Sequence, residues 1–295
     1  MVAWELPSAD TFGISQRLLD AVVRPIQYLR LSGRFFPWTS PVYHGLTCLH
    51  LQYTCPMRNR NPFIHGSQLR EILLACPDLC TFHININVTG QDISQDLTPV
   101  PLNNLEELNL RGLSRTSYDI ILPLLAPGSR PLHFTFQTQS GTENPPLYCP
   151  LITSFFRRSN VTSLFVLGRS SVRQYLDVDQ LLAESPTNLV SLGLQRLRIS
   201  GLGSTQLDCL KTLPPIRLNR LYLRRCTFAA ETLKQMAEII TAQMVKIFKP
   251  ELYVPPDEDE AKVRQEIASI FPTVKWVCSS LDMDWWNMWG MEYEN

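Results

Sequence analysis

The chain has 295 residues, with 27 basic and 27 acidic side chains and therefore no formal net charge. A balanced charge does not favour nucleic acid or an anionic membrane as the binding partner. No apolar run approaches the roughly 18 residues of a membrane helix, and the first part of the chain lacks a basic stretch followed by an apolar one. We therefore expect a monomer with a protein partner, no nucleic-acid or membrane binding, and a cytoplasmic or nuclear location.

A short strand pattern, L-x-x-L-x-L with other residues at some positions, recurs nine times along the chain. The copies are Ile26-x-x-Leu29-x-Leu31, Leu46-x-x-Leu49-x-Leu51, Leu79-x-x-Phe82-x-Ile84, Leu105-x-x-Leu108-x-Leu110, Pro131-x-x-Phe134-x-Phe136, Val161-x-x-Leu164-x-Val166, Leu189-x-x-Leu192-x-Leu194, Leu218-x-x-Leu221-x-Leu223 and a degraded Met244-x-x-Ile247. Their second positions are 20 to 33 residues apart, with a mean of about 27. This spacing is typical of leucine-rich repeats.

Residues with helical character precede several of these strands. Helices or helical turns are predicted over Leu69 to Ala75, Ile120 to Leu125, Leu151 to Phe156, Leu181 to Glu184 and Glu231 to Ala242. A strand and a helix in each period predict an α/β fold, a leucine-rich repeat solenoid or horseshoe with a parallel inner sheet and outer helices. We expect a single domain, with an N-terminal cap at 1–25, repeats at 26–250 and a C-terminal cap and tail at 251–295.

The ends of the chain and two long insertions depart from the repeat. Ser15 is a candidate N-cap for a covering helix, and the spacing of Val263 and Ile267 predicts another helix near the C-terminus. The Trp-rich stretch that begins at Trp276 is expected to cap the last repeat or to form a tail. The insertions Thr54 to Gly66 and Gln137 to Pro150 leave from strand ends, which predicts loops at one rim of the sheet.

Motifs for catalysis and for cofactors are missing from the sequence. No phosphate-binding glycine loop, nucleophile elbow or zinc-protease motif is present, and no histidine has a carboxylate or nucleophile at motif spacing. Cys76, Cys80 and His83 come nearest to a metal set, but no second ligand pair follows. We expect reduced thiols, with Cys226 pointing inward after its strand. The predictions are no enzyme activity, no catalytic or metal-binding residue and no cofactor.

The residues between the leucines predict where a partner binds. They alternate to the opposite, concave face of the sheet. The expected protein-binding residues are Tyr28, Arg30, His50, His83, Arg220, Tyr222 and Arg224. Tyr and Arg are enriched among residues that dominate binding energy. The rim insertions are the rival site, and a solvated sheet face without a partner is the third reading.

Several longer strings are more specific than the leucine spacing. Phe35-Phe36-Pro37-Trp38-Thr39-Ser40-Pro41 precedes Gly45-Leu46-Thr47-x-Leu49-x-Leu51 and Leu69-x-x-Ile72-Leu73-x-Ala75-Cys76-Pro77-x-Leu79. Leu102-x-x-Leu105-Glu106-Glu107-Leu108-Asn109-Leu110 and Leu218-x-x-Leu221-Tyr222-Leu223-x-x-Cys226 continue the match. Over roughly residues 25 to 250, the chain resembles the leucine-rich region of the large F-box protein family of mushroom-forming fungi.

That resemblance implies a function. In the family, the repeats are thought to recruit target proteins to a Skp/cullin ubiquitin ligase through an N-terminal F-box. Residues 1–27 of this sequence contain no run that resembles an F-box. Two readings stay open: the substrate-recognition part of an F-box-type ubiquitin ligase adaptor whose F-box lies upstream, or a stand-alone leucine-rich repeat scaffold or inhibitor with no ubiquitin linkage.

Overall fold

The structure is a computed structural model that describes residues 26–53, 62–90, 98–138, 150–168, 175–177, 185–200, 216–253, 259–271 and 273–277. The chain divides into two compact units, residues 1–132 and 133–295. Ten strands belong to one parallel sheet, accompanied by short helices and smaller sheets. The predicted α/β class is therefore confirmed.

Unit 1 contributes the first strands of the main sheet. In spatial order they are β1 Tyr28–Ser32, β2 Cys48–Gln52, β4 Thr81–Asn85 and β7 Glu107–Leu110. Two-stranded sheets pair β3 Phe63–His65 with β5 Asn87–Thr89, and β6 Val100–Leu102 with β8 Leu125–Pro127. The helical elements are α1 Gly66–Leu74, α2 Arg115–Leu124 and a 3₁₀ turn at Pro41–Tyr43.

Unit 2 contains the remaining strands of the main sheet. In spatial order they are β9 Leu132–Gln137, which begins at the last residue of unit 1, β10 Val161–Leu167, β12 Ser191–Gln195, β14 Ile216–Arg224, β16 Ile240–Phe248 and β18 Val274–Val277. A smaller parallel sheet has the order β11 Tyr175–Asp177, β13 Arg198–Ser200, β15 Thr227–Ala229 and β17 Glu251–Tyr253. The helices are α3 Pro150–Arg158, α4 Ala230–Ile239 and α5 Glu260–Ile270.

Short side chains fix where the helices begin. The Ser114 hydroxyl accepts a hydrogen bond from the Ser117 amide at 3.3 Å before α2, and the Asp259 carboxylate accepts one from the Ala261 amide at 3.1 Å before α5. Each bond satisfies an amide that has no partner inside the helix. The carboxylate of Asp259 also lies at the positive end of the helix dipole.

The leucine-type positions form the core of each unit. Leu108, Leu192 and Leu221 are fully buried, as the repeat pattern predicts. Parallel pairing keeps equivalent positions side by side, because Leu192 lies in register with Leu164 on one neighbour and with Leu221 on the other. Burial of a branched aliphatic side chain contributes about 1.5 to 3 kcal/mol to stability, so the repeated positions are the main stabilising feature of the sheet.

The end of the repeat array differs from its prediction. Val245 lies in register with Leu221, and Ile247 lies with Leu223. The degraded copy was therefore aligned two residues too late, because Val245 was not recognised as its second apolar position. A tenth copy, Phe271-x-x-Val274-x-Trp276, was missed, and its residues 274–277 form β18 against β16.

The predicted helices that fall in described segments are confirmed, with shifted ends. The helix expected over Glu231 to Ala242 ends at Ile239, since residues 240–242 begin β16. The first insertion is partly regular, because its last residues form β3 and the start of α1. The predictions for Ser15, for Leu181 to Glu184, for most of both insertions and for the tail beyond Val277 lie outside the described residues.

Candidate protein-binding face of the sheet

The sheet residues that alternate with the leucines form what we call the non-leucine face. In unit 1, Arg30, His50, His83 and Asn109 occupy equivalent positions on neighbouring strands. Tyr28, Cys48, Thr81 and Glu107 form the adjacent row. The pleat places both rows on the side opposite the leucines. Parallel pairing therefore brings together residues that are 20 to 33 positions apart in the chain.

Aromatic rings run in series along this part of the face. The ring centroids of Tyr28 and His50 are 5.5 Å apart, and the imidazoles of His50 and His83 stack at 3.9 Å. Tyr28 begins the series and is 57% exposed, whereas His83 is 3% exposed. The series therefore offers a partner an accessible phenol at one end and a buried imidazole at the other.

A contact with a carboxylate holds the buried histidine. Nε2 of His83 lies 2.7 Å from Oε1 of Glu107, which is half-buried on β7. The carboxylate oxygen accepts a hydrogen bond from Nε2 of His83. Nδ1 is buried and has no hydrogen-bond partner among the residues that the structure describes. The carboxylate thus fixes the orientation of His83 and, through the stack, that of His50.

A thiol–imidazole contact lies beside the stacked rings. Sγ of Cys48 is 3.3 Å from Nε2 of His50. Burial, followed by the nearby charges of Glu107 and Cys80, raises the pKa of the Cys48 thiol to about 11. A nucleophilic cysteine needs a lowered pKa, because the thiolate is the reactive form. The contact therefore does not supply a thiolate near neutral pH.

These pairings were not foreseen from the sequence. No carboxylate or nucleophile stands at motif spacing from a histidine, but Glu107 contacts His83 from the neighbouring strand and Cys48 contacts His50 within one strand. The partners lie one repeat apart or on alternate positions of one strand, which local motifs do not sample. Aligning the repeats by their leucines would have revealed them, because the register follows that alignment.

Cys76 and Cys80, which with His83 came nearest to a metal set in the sequence, each contact a different backbone carbonyl. Sγ of Cys76 is buried and donates to the carbonyl oxygen of Tyr43 at 2.8 Å, and Cys80 precedes β4 with its Sγ 3.4 Å from the carbonyl oxygen of Asp78. Across the described ranges, no group of three or more His, Cys, Asp or Glu side chains has an arrangement that holds a metal ion.

In unit 2 the non-leucine face is aromatic rather than histidine-rich. Phe165, Leu167, Tyr222, Phe248 and Val277 form one buried hydrophobic cluster. They come from β10, β14, β16 and β18. The strand between β10 and β14 is β12, and it places Gly193 in register with Phe165 and Tyr222. The cluster is a second apolar layer on the side of the sheet opposite the leucines.

Gly193 makes this layer possible. It lies in register between Phe165 and Tyr222, and a Cβ atom at Gly193 would overlap the Phe165 ring. The ring therefore lies across the glycine and towards the tyrosine. Only a residue without a side chain leaves that space, since protein interiors are close-packed.

Basic side chains surround the cluster. The guanidinium of Arg224 lies 5.3 Å from the ring centroid of Phe248, and Nζ of Lys249 lies 5.4 Å from the same ring. Both distances fall within the range of cation–π attraction. Lys246 and Lys275 occupy the row of Tyr222, on β16 and β18. Four basic side chains therefore lie on or beside this part of the face.

The structure separates the predicted binding residues into two groups. Tyr28, Arg30 and Arg220 are exposed, and His50 and Arg224 are half-buried. His83 and Tyr222, which the sequence predicted to bind a partner, are buried at 3% and 2% exposure. Tyr222 is buried because the Phe165 cluster surrounds it, and that burial raises the pKa of its phenol. We expect truncation of Tyr222 to lower stability, because its ring packs in this buried cluster.

The residues that carry the family resemblance pack against one another in unit 1. The Trp38 ring lies 5.3 Å from that of Phe35 and 5.7 Å from that of Tyr43, and its Nε1 donates to the carbonyl oxygen of Phe63 at 3.2 Å. Tyr43 contacts Trp38 of the first string and accepts a hydrogen bond from Cys76 of the other, so it joins the two strings.

Comparisons with models of known protein families and with curated proteins found no match. Among the helices in the described parts of the chain, none is long and apolar enough to cross a membrane.

Proposed function

We propose that the chain is a protein-binding leucine-rich repeat domain, with a solenoid architecture, and that it is the substrate-recognition part of an F-box-type ubiquitin ligase adaptor. Its non-leucine face binds the target. The observation that carries the proposal is the exposed end of the ring series in unit 1, where Tyr28 and Arg30 stand on consecutive positions of that face.

The chemistry of this surface suits a protein target. An exposed tyrosine offers a large area and a hydroxyl group at a small entropic cost, and an arginine offers five directional donors. The Tyr28 ring contacts the His50 ring, which stacks on His83, which Glu107 holds. A preorganised surface loses less side-chain entropy when it binds.

The link to ubiquitin ligation rests on the resemblance to the F-box family. The strings from Phe35 to Pro41 and from Leu69 to Leu79 carry it. A stand-alone scaffold or inhibitor shares the protein-binding part of the proposal and lacks only the Skp/cullin partner. Recovery of a Skp/cullin partner with the chain would therefore distinguish the ligase adaptor from the scaffold or inhibitor.

A photo-crosslinking experiment tests the binding face. Benzoylphenylalanine replaces Tyr28 on the sheet face, Phe63 in the first insertion or Leu74 on α1, all of which are exposed in the structure. The proposal expects a specific protein to be captured from position 28 and not from position 74. Capture from position 63 alone would assign binding to the rim insertion instead.

The ligase link has its own measurement. The captured protein should accumulate when this chain is depleted from the cells that express it, and a Skp-type adaptor should be recovered with the full gene product. Capture at position 28 without the adaptor, and with no accumulation, would favour the stand-alone scaffold.

A further inference from the structure

The last strands of unit 2 concentrate positive charge on one face. The segments IRLNRLYLR, ITAQMVKIF and VKWV, which are β14, β16 and β18, contain three arginines and two lysines but no acidic residue. Four of these cations lie on the non-leucine face, at Arg220, Arg224, Lys246 and Lys275. The chain as a whole is neutral, so the charge is a local feature of this surface.

Two of these cations are immediate neighbours. Lys246 and Lys275 are register partners on adjacent parallel strands, which are about 4.8 Å apart. Like charges directly opposite each other destabilise a sheet. The arrangement therefore opposes folding, and a bound anion relieves the repulsion.

The neighbouring side chains give this surface a defined shape. Arg224 and Lys249 both lie against the Phe248 ring, which is buried. Cation–π contacts of this kind restrict the rotamers of long basic side chains. The positive charges therefore stand over a rigid apolar floor formed by Tyr222, Phe248 and Val277.

Carboxylates fit this surface better than a nucleic acid does. Single-stranded nucleic acids bind by stacking their bases on exposed aromatic rings, but the rings of Tyr222 and Phe248 are buried. In an extended acidic peptide, alternate side chains are about 6.8 Å apart and point to the same side. Arg220 and Arg224 are four positions apart on β14, about 13 Å along the strand, which is about twice that distance.

We infer that the non-leucine face of β14, β16 and β18 binds an acidic segment of a protein, with Lys246, Lys275, Arg220 and Arg224 as the cations that pair with its carboxylates. The inference rests on the proposed protein-binding function and names the partner class that this part of the face selects.

Fluorescence anisotropy with a labelled peptide of alternating Glu and Thr provides the test. A peptide with Gln in place of each Glu and a single-stranded oligothymidylate of equal length are the comparison probes. The protein variants are Lys246→Gln with Lys275→Gln and, as a matched control, Arg157→Gln with Lys262→Gln, which removes exposed cations from α3 and α5. Urea unfolding of each variant verifies that it folds.

We expect the Glu peptide to bind more tightly than the Gln peptide. Its affinity should fall as KCl is added. The double lysine variant loses two exposed ion pairs, so it should bind about twofold to thirtyfold more weakly. The control variant should bind like the unmodified protein.

Three results would overturn the inference. They are no measurable binding of the Glu peptide, an equal loss in the Arg157 and Lys262 control, and oligothymidylate binding that is as tight as peptide binding. None of these results affects the proposed function. Crosslinking from position 28 reports on a partner bound to the face of unit 1 and does not involve these lysines. Loss of that capture, with peptide binding intact, would instead remove the proposed function.

Discussion

The non-leucine faces of the two units carry different chemistry on the same strand pattern. In unit 1, equivalent positions hold Arg30, His50 and His83, and the buried His83 contacts a carboxylate. In unit 2, the corresponding row holds Phe165, Gly193 and Tyr222, which pack as an apolar layer. Most leucine-type positions of both units are buried.

This difference separates the roles of the two sides of the sheet. The leucine side depends on apolar burial in every repeat, which is why its residue types vary little. Residue types on the other side vary more, and each buried side chain there needs neighbours that suit it. A buried imidazole needs a hydrogen-bond partner, and a buried ring on a sheet needs space on the next strand.

The largest expected difference between the units is the cost of removing a ring. Phe165→Ala should lower the free energy of unfolding by about 3 to 5 kcal/mol, because the fully buried side chain leaves a cavity. His50→Ala, at the half-buried position of unit 1, should cost about 1 kcal/mol or less. Urea denaturation followed by circular dichroism measures both values.

Phe165→Leu is the control for this comparison, since it keeps an apolar side chain at the site. It should cost clearly less than Phe165→Ala. Equal losses for Phe165→Ala and His50→Ala would show that the apolar layer of unit 2 contributes no more to stability than the ring stack of unit 1.

The glycine beside Phe165 provides the next test. Gly193→Ala should destabilise the protein by about 1 to 3 kcal/mol, because the added methyl group meets the Phe165 ring. In a Phe165→Ala background the same substitution should cost much less, since the ring is gone. Equal costs in the two backgrounds would contradict the packing of the ring across the glycine.

A third comparison concerns buried thiols at alkaline pH. Burial raises the pKa of Cys226 from 9.0 to about 12. Above pH 9 the unfolded chain loses this proton whereas the folded chain keeps it, so the stability present below pH 9 is lost as the pH rises towards 12. At pH 10.5 the loss from this group should be about 2 kcal/mol relative to neutral pH.

Cys226→Ala isolates that contribution, because other alkaline titrations remain in the variant. The unmodified protein should lose about 2 kcal/mol more than Cys226→Ala between pH 7.5 and pH 10.5, measured by urea unfolding. Parallel losses in both proteins would mean that Cys226 is not buried with its thiol facing the carbonyl oxygens of Leu194 and Arg224.

The smallest expected effect is that of the paired lysines on stability. Lys246→Gln with Lys275→Gln should leave the free energy of unfolding unchanged or raise it by about 0.5 kcal/mol, because it removes two like charges in register. A thermal unfolding midpoint that falls by several degrees would show that these lysines stabilise the sheet instead.

The strand positions followed largely from the sequence, because an apolar residue repeats at the same place in each unit. The pattern located Leu108, Leu192 and Leu221 in the core, but it misplaced the last repeat and missed β18, where Val245, Val274 and Trp276 stand in place of leucine. The small sheets, such as β3 with β5, were also missed, because strands of three residues carry too short a pattern.

The candidate site was predicted less completely. The alternation of strand residues placed Tyr28 and His50 on the non-leucine face, since period-two alternation is a local property. It did not predict the burial of Tyr222, which depends on Phe165 two strands away and on the glycine between them. Exposure on a sheet face depends on neighbours that are distant in sequence.

Tyrosine nitration tests the difference between the two faces most directly. The folded protein is treated with tetranitromethane, and peptide mass spectrometry compares the nitration rates of Tyr28 and Tyr222. Tyr28 is 57% exposed, whereas Tyr222 is buried and its pKa is raised by that burial, which disfavours the reactive phenolate. Tyr28 should be nitrated while Tyr222 stays protected until urea unfolds the chain. Nitration of Tyr222 in the folded protein at the rate of Tyr28 would contradict the account.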